Sequence, residues 1–264
     1  MRVWMIGCGT MASAMLARWL DAGVVRAGDV DVANRAGRTL PGNVRQARTL
    51  PDGPAPDAVV LGVKPQQVRE AAAAHAARVA DAPVLVSMLA GVAPETLAAL
   101  FPGPVAVQTM PNLPVALGQG VTGVYAPAAG AATRTAVDRL LAPLGLVRWF
   151  DDAARFDAAG ALSGCGPAFL FRFVDAMASA GAALGLAPDD AAAIALATVE
   201  GAAALAGRDA RSPAALAEAV ASPGGMTRAG LDVLDAGAAL DTLLTRTLAA
   251  SARRQAEMAA AARG

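Results

Sequence analysis

The sequence predicts an α/β chain in which a doubly wound, mainly parallel sheet is followed by an all-α half. Three observations predict it. Before residue 153, short apolar runs of strand length alternate with helical stretches, the pattern of right-handed βαβ units. Thirteen of the 17 prolines lie in that same part. Beyond it the strand signal stops, and long alanine- and leucine-rich segments take over. The expected division is therefore 1–152 and 153–264.

Val3–Ile6 is an uninterrupted apolar run ended by Gly7, and Met11–Ala22 follows as a helix. Val30–Ala33 is the second strand and Ala58–Gly62 the third, stopped by Lys64-Pro65 before a helix over Gln66–Ala80. Val84–Ser87 leads to the helix Pro94–Leu100, which has proline where a first helical turn tolerates it. Val105–Gln108, Val121–Tyr125 and Val147–Phe150 complete the strands, with a helix over Ala131–Ala142. Five helices are expected after them, over 154–184, 189–206, 213–221, 226–236 and 239–262. Leu162, Phe169, Leu170, Phe173, Val174 and Met177 make the first of these apolar on more than one side. Such a helix must be covered on several sides, and a partner chain is a natural cover.

Composition excludes several classes. With 22 basic and 22 acidic residues in 264, the chain has no electrostatic footprint for nucleic acid or an anionic membrane. A mean hydropathy of +0.45 raises the question of a membrane span. The longest uncharged stretch, Thr96–Thr133, is broken by Pro102, Pro104, Pro111, Pro114 and Pro127, which a spanning helix would not carry. Met1–Gly9 has neither the length nor the flanks of a secretory signal. A soluble protein is expected. Its two cysteines, Cys8 and Cys165, make no disulfide scaffold, so the default compartment is the cytoplasm. Lys64 is the only lysine and His75 the only histidine. No metal site is expected, and His75 reads as a helix-surface or interface residue.

Met5-Ile6-Gly7-Cys8-Gly9-Thr10-Met11-Ala12 satisfies G-x-G-x-x-A directly after a strand and at the opening of a helix. Gly7 permits the tight turn, Gly9 lets backbone approach a pyrophosphate, and Ala12 lets helix and strand pack closely. The first half is therefore a Rossmann-type dinucleotide-binding domain. At the tip of the second strand, where NAD-preferring domains place an acid, the chain reads Val32-Ala33-Asn34-Arg35, with Arg38 close behind. Asn34 and Arg35 suit the 2′-phosphate of NADPH, with NADH the weaker alternative; the alternative for Arg35 is a solvated loop charge.

Four further segments follow in order: Gly62-Val63-Lys64-Pro65-Gln66, Met110-Pro111-Asn112-Leu113-Pro114, Ala161-Leu162-Ser163-Gly164-Cys165-Gly166-Pro167-Ala168-Phe169, and Ala221-Ser222-Pro223-Gly224-Gly225-Met226-Thr227-Arg228-Ala229-Gly230. With these, the chain closely resembles pyrroline-5-carboxylate reductase over essentially its whole length. The last segment is the most specific, matching the family's S-P-G-G-x-T loop. The resemblance implies reduction of 1-pyrroline-5-carboxylate to L-proline with NADPH, the last step of proline biosynthesis. It also implies a helical dimerisation domain, a homodimer, and larger rings built from dimers. Carried over residue by residue, it places Ile6, Gly7, Cys8, Gly9, Thr10, Met11, Asn34, Arg35, Val63, Lys64, Pro65 and Asn112 against the cofactor. Ser163, Ser222, Gly224, Gly225 and Thr227 fall to the substrate, with Thr227 catalytic. Thr227 has a second reading as a helix cap.

The chain departs from the family at Gln108, where a basic residue is common, at Leu113, where threonine is usual, and at Cys165 and Met226. These departures bear on which imine is reduced. The alternatives are a related NADPH-dependent reductase of another cyclic imino acid and a dinucleotide-binding regulatory protein without turnover. A β-hydroxyacid dehydrogenase fits poorly, because that family uses a lysine in its helical domain and none follows Lys64.

Overall fold

A computed structural model describes every residue except Ala36 and Gly264; the side chains of Met258, Ala259 and 261–263 are also left undescribed. The chain forms two compact units, one of residues 1–165 with 251–264 and one of residues 166–250.

In the first unit the strands are β1 (Val3–Ile6), β2 (Val30–Ala33), β3 (Arg45–Ala47), β4 (Ala58–Leu61), β5 (Val84–Ser87), β6 (Val105–Pro111), β7 (Gly120–Tyr125) and β8 (Gly145–Phe150). They form one sheet in the order β3-β2-β1-β4-β5-β6-β7-β8. Every neighbouring pair is parallel except β6 with β7, where Met110 lies opposite Gly123. Strand order reverses at β1, which pairs with β2 on one side and β4 on the other. Open α/β sheets bind ligands in the crevice beyond such a reversal.

Side chains alternate across the sheet and build two apolar layers. Val3 and Met5 face one way with Val30, Val32, Val60 and Val84, meeting Met15, Leu16 and Trp19 of α1 (Thr10–Asp21). Trp4 and Ile6 face the other way with Val59, Leu61 and Leu85, against α2 (Val68–Val79) and α3 (Pro94–Leu100). The helix α4 (Ala131–Leu141) lies on the α1 side, contributing Val137, Leu140 and Leu141. There the Trp19 indole N–H donates to the Leu140 carbonyl at 2.7 Å, so a buried polar edge is satisfied while the ring fills the core.

Predicted and observed elements agree within a few residues, with one strand missing from the prediction. β3 is three exposed residues, Arg45-Gln46-Ala47, and offers no apolar alternation to read. It pairs with β2 all the same, Asp31 opposite Arg45.

Helices follow: α5 (Ala153–Ala183), α6 (Pro188–Ala206), α7 (Pro213–Ala219), α8 (Met226–Asp235) and α9 (Ala239–Arg263). The opening of α5 belongs to the first unit, where Phe156 is buried against Tyr125 and Phe150. In the second unit Leu184, Ile194, Leu196 and Leu205 are all exposed on this single chain. No helix among the described residues is long and apolar enough to cross a membrane.

Candidate active site

The turn after β1 and the turn after β4 interlock. Gly7 takes φ +81°, open to glycine at little cost, and its N–H donates to the Ala33 carbonyl at 2.8 Å. A Cβ on Gly7 would lie 2.7 Å from a Val63 methyl; one on Gly62 would lie 2.7 Å from the Gly7 carbonyl oxygen and 3.0 Å from the Ala12 methyl. Only bare backbone lets the two turns approach this closely. Gly9 differs, because a Cβ there would meet nothing within 4 Å. Gly9 opens onto free space at the N-terminus of α1, which has no side-chain cap. Unpaired N–H groups and the positive end of the helix dipole therefore face that space.

Beyond these turns lies a cleft of about 350 Å³ lined by Ile6, Gly7, Cys8, Gly9, Asn34 and Arg35, among others. Val63 and Lys64 line its opposite side, and Arg38, Arg48, Glu70 and His75 complete its charged and polar wall. Sequence reading places Arg38 close behind the β2 tip but misses Arg48, Glu70 and His75 as cleft residues. Arg48 follows the β2 tip at a spacing a loop reading could have flagged, whereas Glu70 and His75 are brought in by the face α2 presents. Thr10 lies in an adjoining depression with Cys8 and Gly9. Met11 packs partly on the core, and Pro65 begins the short helical turn leading into α2.

Asn34 organises the turn. Its Oδ1 accepts the Cys8 N–H at 2.9 Å, and its Nδ2 donates to Gln46 Oε1 at 3.2 Å. Gln46, on β3, in turn donates from Nε2 to the Arg38 carbonyl at 2.6 Å. Arg35 gives one guanidinium nitrogen to both oxygens of Glu70, each at 2.8 Å. Lys64 is exposed. Burial pushes the Cys8 thiol up to about 11, a rise that nearby Arg38 only partly opposes. The group is therefore a small, un-ionised packing element rather than a nucleophile. His75, expected on a helix surface, is instead buried, because α2 turns that face toward the cleft. Burial lowers its proton affinity.

Asn112, at the end of β6, is also engaged on both sides. Its Oδ1 accepts the Val121 N–H at 2.7 Å and its Nδ2 donates to the Ser163 carbonyl at 3.0 Å. That carbonyl is four residues before Pro167, which sits inside α5 and has no N–H to give it. Asn112 supplies the donor that proline removes. The Ser163 hydroxyl donates to the Ala159 carbonyl at 2.8 Å.

The Ser222–Thr227 group belongs to the second unit. Gly224 takes φ +70°, and the Gly225 N–H closes the turn on the Ser222 carbonyl at 3.0 Å. A Cβ on Gly225 would come within 2.6 Å of Ser222 Oγ. Gly225 caps α8 with no side-chain acceptor. Thr227 is the second residue of α8 and exposed; the capping position is Gly225, not Thr227. Arg228 pairs with Glu218 of α7 and, at 3.8 Å, with Asp232, bracing the turn. Among the described residues no cluster of His, Cys, Asp and Glu could hold a metal ion.

Comparison with known proteins agrees with this geometry. Residues 153–258 match the family model for pyrroline-5-carboxylate reductase dimerisation, and residues 2–91 match that for NADP oxidoreductase, coenzyme F420-dependent. A pyrroline-5-carboxylate reductase of Pseudomonas aeruginosa is 35% identical over 98% of this chain and 97% of its own. A solved pyrroline-5-carboxylate reductase from Coxiella burnetii superimposes with a TM-score of 0.87 at 27% identity, covering 97% of each chain. The fold is also that of the Plasmodium falciparum pyrroline carboxylate reductase solved with NADP bound, at a TM-score of 0.82, 19% identity and 98% coverage of both chains. Interlocked glycine turns at the strand-order reversal, followed by a helical half matching a dimerisation module, place the chain in the pyrroline-5-carboxylate reductase family.

Proposed function

We propose that this chain reduces 1-pyrroline-5-carboxylate to L-proline with NADPH, the last step of proline biosynthesis. One observation carries the reading: the glycine cradle opens onto a cleft whose β2 side holds arginines and no acid at the strand tip. That cradle fits a dinucleotide, since Gly7 and Gly62 leave no room for side chains and Gly9 leaves room for a phosphate. When bound, the reduced nicotinamide supplies the hydride. Residues 1–152 hold the cofactor, with Gly7, Gly9 and Thr10 at the pyrophosphate and Val63, Lys64 and Pro65 flanking it. Arg35 pairs with the 2′-phosphate. Asn34 and Asn112 act on the site by fixing the turns around it.

Residues 153–264 bind the substrate and dimerise. The N–H groups opening α8, uncapped by any side chain, donate to the substrate carboxylate. The Thr227 hydroxyl, free of any partner among the described residues, bonds to the ring nitrogen and orients it. An imine is protonated from solvent near neutral pH, so no strong acid is needed. The homodimer reading is supported by the matched dimerisation model and by apolar side chains left exposed on one chain; larger rings of dimers are the further assembly. The two free cysteines agree with a cytoplasmic setting.

Loss of NADPH absorbance with pyrroline-5-carboxylate, compared with its six-membered homologue, tests the reading. Gln108 is buried and Met226 exposed, and faster turnover of the larger ring would assign the chain to another cyclic imino acid. Thr227→Ala should lower kcat by about 10- to 1000-fold, with NADPH affinity unchanged and Thr227→Ser nearly normal. Unaltered kcat in a folded Thr227→Ala protein would remove Thr227 from the chemistry.

A further inference from the structure

Among the described residues lining the dinucleotide cleft there is one carboxylate, Glu70, amid the guanidinium groups of Arg35, Arg38 and Arg48. Glu70 is on α2, across the cleft from the β2 tip, and it holds Arg35 through one nitrogen and both of its own oxygens at 2.8 Å. Arg38 and Arg48 have no ion-pair partner among the described residues. The site that would receive a 2′-phosphate is thus lined by two unpaired arginines and one already committed to an anion of this chain.

Stability does not account for the pair. Its side chains are 65% and 61% exposed, and ion pairs so open to water add little. Nor does α2 need Arg35 to benefit from an acid in its first turn, since the helix dipole favours Glu70 there unaided. What the pair does change is the state in which Arg35 meets a ligand. A 2′-phosphate must take Arg35 from a carboxylate and then sit beside that carboxylate, whereas a 2′-hydroxyl pays neither cost.

We propose that Glu70 is a specificity-determining residue, an internal competitor that narrows the preference for the 2′-phosphorylated cofactor. This rests on the reading that Arg35 is the 2′-phosphate partner. Glu70 then sets how far NADPH outcompetes NADH, and does so without touching the nicotinamide end.

The test is calorimetric titration of the full chain with adenosine 2′,5′-bisphosphate and with ADP, at low salt. Glu70→Gln should tighten the bisphosphate about two- to fivefold, the span set by releasing an exposed ion pair, and leave ADP unchanged. The gain should vanish in an Arg35→Gln background and shrink at high salt, where exposed charges are screened. An unchanged bisphosphate affinity in Glu70→Gln, with Arg35→Gln still selectively weakened, would overturn the proposal and leave Glu70 as a first-turn acid only. Equal losses of both ligands in Arg35→Gln would overturn the underlying reading of Arg35 instead. Thermal midpoints of all variants check that each remains folded.

Discussion

At the scale of single residues, burial rather than a charged neighbour dominates the titration of Cys8 and His75 beside the cleft. His75 has an ordinary value of 6.5 that burial lowers. The unfolded chain therefore takes up this proton before the folded one does. Stability contributed by the neutral imidazole is complete above about pH 6.5 and is lost as pH falls through the lowered folded value. Thermal midpoints measured from pH 7.5 to 5 should show a decline that His75→Gln reduces; parallel profiles for the two proteins would mean other groups control it. A neutral His75 also adds no fourth positive charge to the arginine-lined wall near pH 7.

At the scale of elements, Asn112 and Pro167 form a complementary pair of features on β6 and α5. Proline inside a helix removes a donor, and here an amide from the sheet replaces it. Asn112→Ala strands the Ser163 carbonyl and the Val121 N–H together. Each unsatisfied group costs about 1–3 kcal/mol when fully buried. Both are only half-buried, so water relieves part of this, and urea unfolding should show a loss of about 2–4 kcal/mol. Pro167→Ala restores the helical donor, so the double variant should lose less than Asn112→Ala alone; strictly additive losses would separate the two features.

The same elements show what the sequence could reveal. The helices and seven strands were readable because apolar runs and helical spacing are local. The glycine cradle was readable because only glycine tolerates Gly7's φ and the contacts of Gly62. β3 was not, since an edge strand needs no apolar face. The bonds of Asn34 to Cys8 and Gln46, and of Asn112 to Ser163, join residues far apart in the chain, and no spacing rule encodes them. Likewise Glu70 and His75 reach the cleft only because α2 packs with that face inward.

At the scale of the whole molecule, the second unit carries more apolar helix surface than one chain covers. Only Ala191 and Ala195 are buried along α6, while Ile194 and Leu196 beside them are exposed. In the proposed homodimer those side chains are the contact. Burying a leucine is worth about 1.5–3 kcal/mol, and a charge in its place costs more than that gain. Leu196→Glu combined with Phe173→Glu should yield monomers by light scattering, with loss of turnover but retention of adenosine 2′,5′-bisphosphate binding by the first unit. A dimer that persists in this variant would place the contact on another face.

The three-residue β3 has one more consequence. Inward from it the sheet consists of short apolar runs such as Ala58–Leu61 and Val84–Ser87, which are prone to aggregate once an open edge lets another chain add a strand. On the β2 side that edge is the brief, polar Arg45-Gln46-Ala47, with Arg45 fastened to Asp31 at 2.9 Å. A charged strand of this length is a poor template for further pairing. A strand that contributes nothing to the core thus acts as a guard on this edge of the sheet, shielding the apolar strands behind it from other copies of the chain.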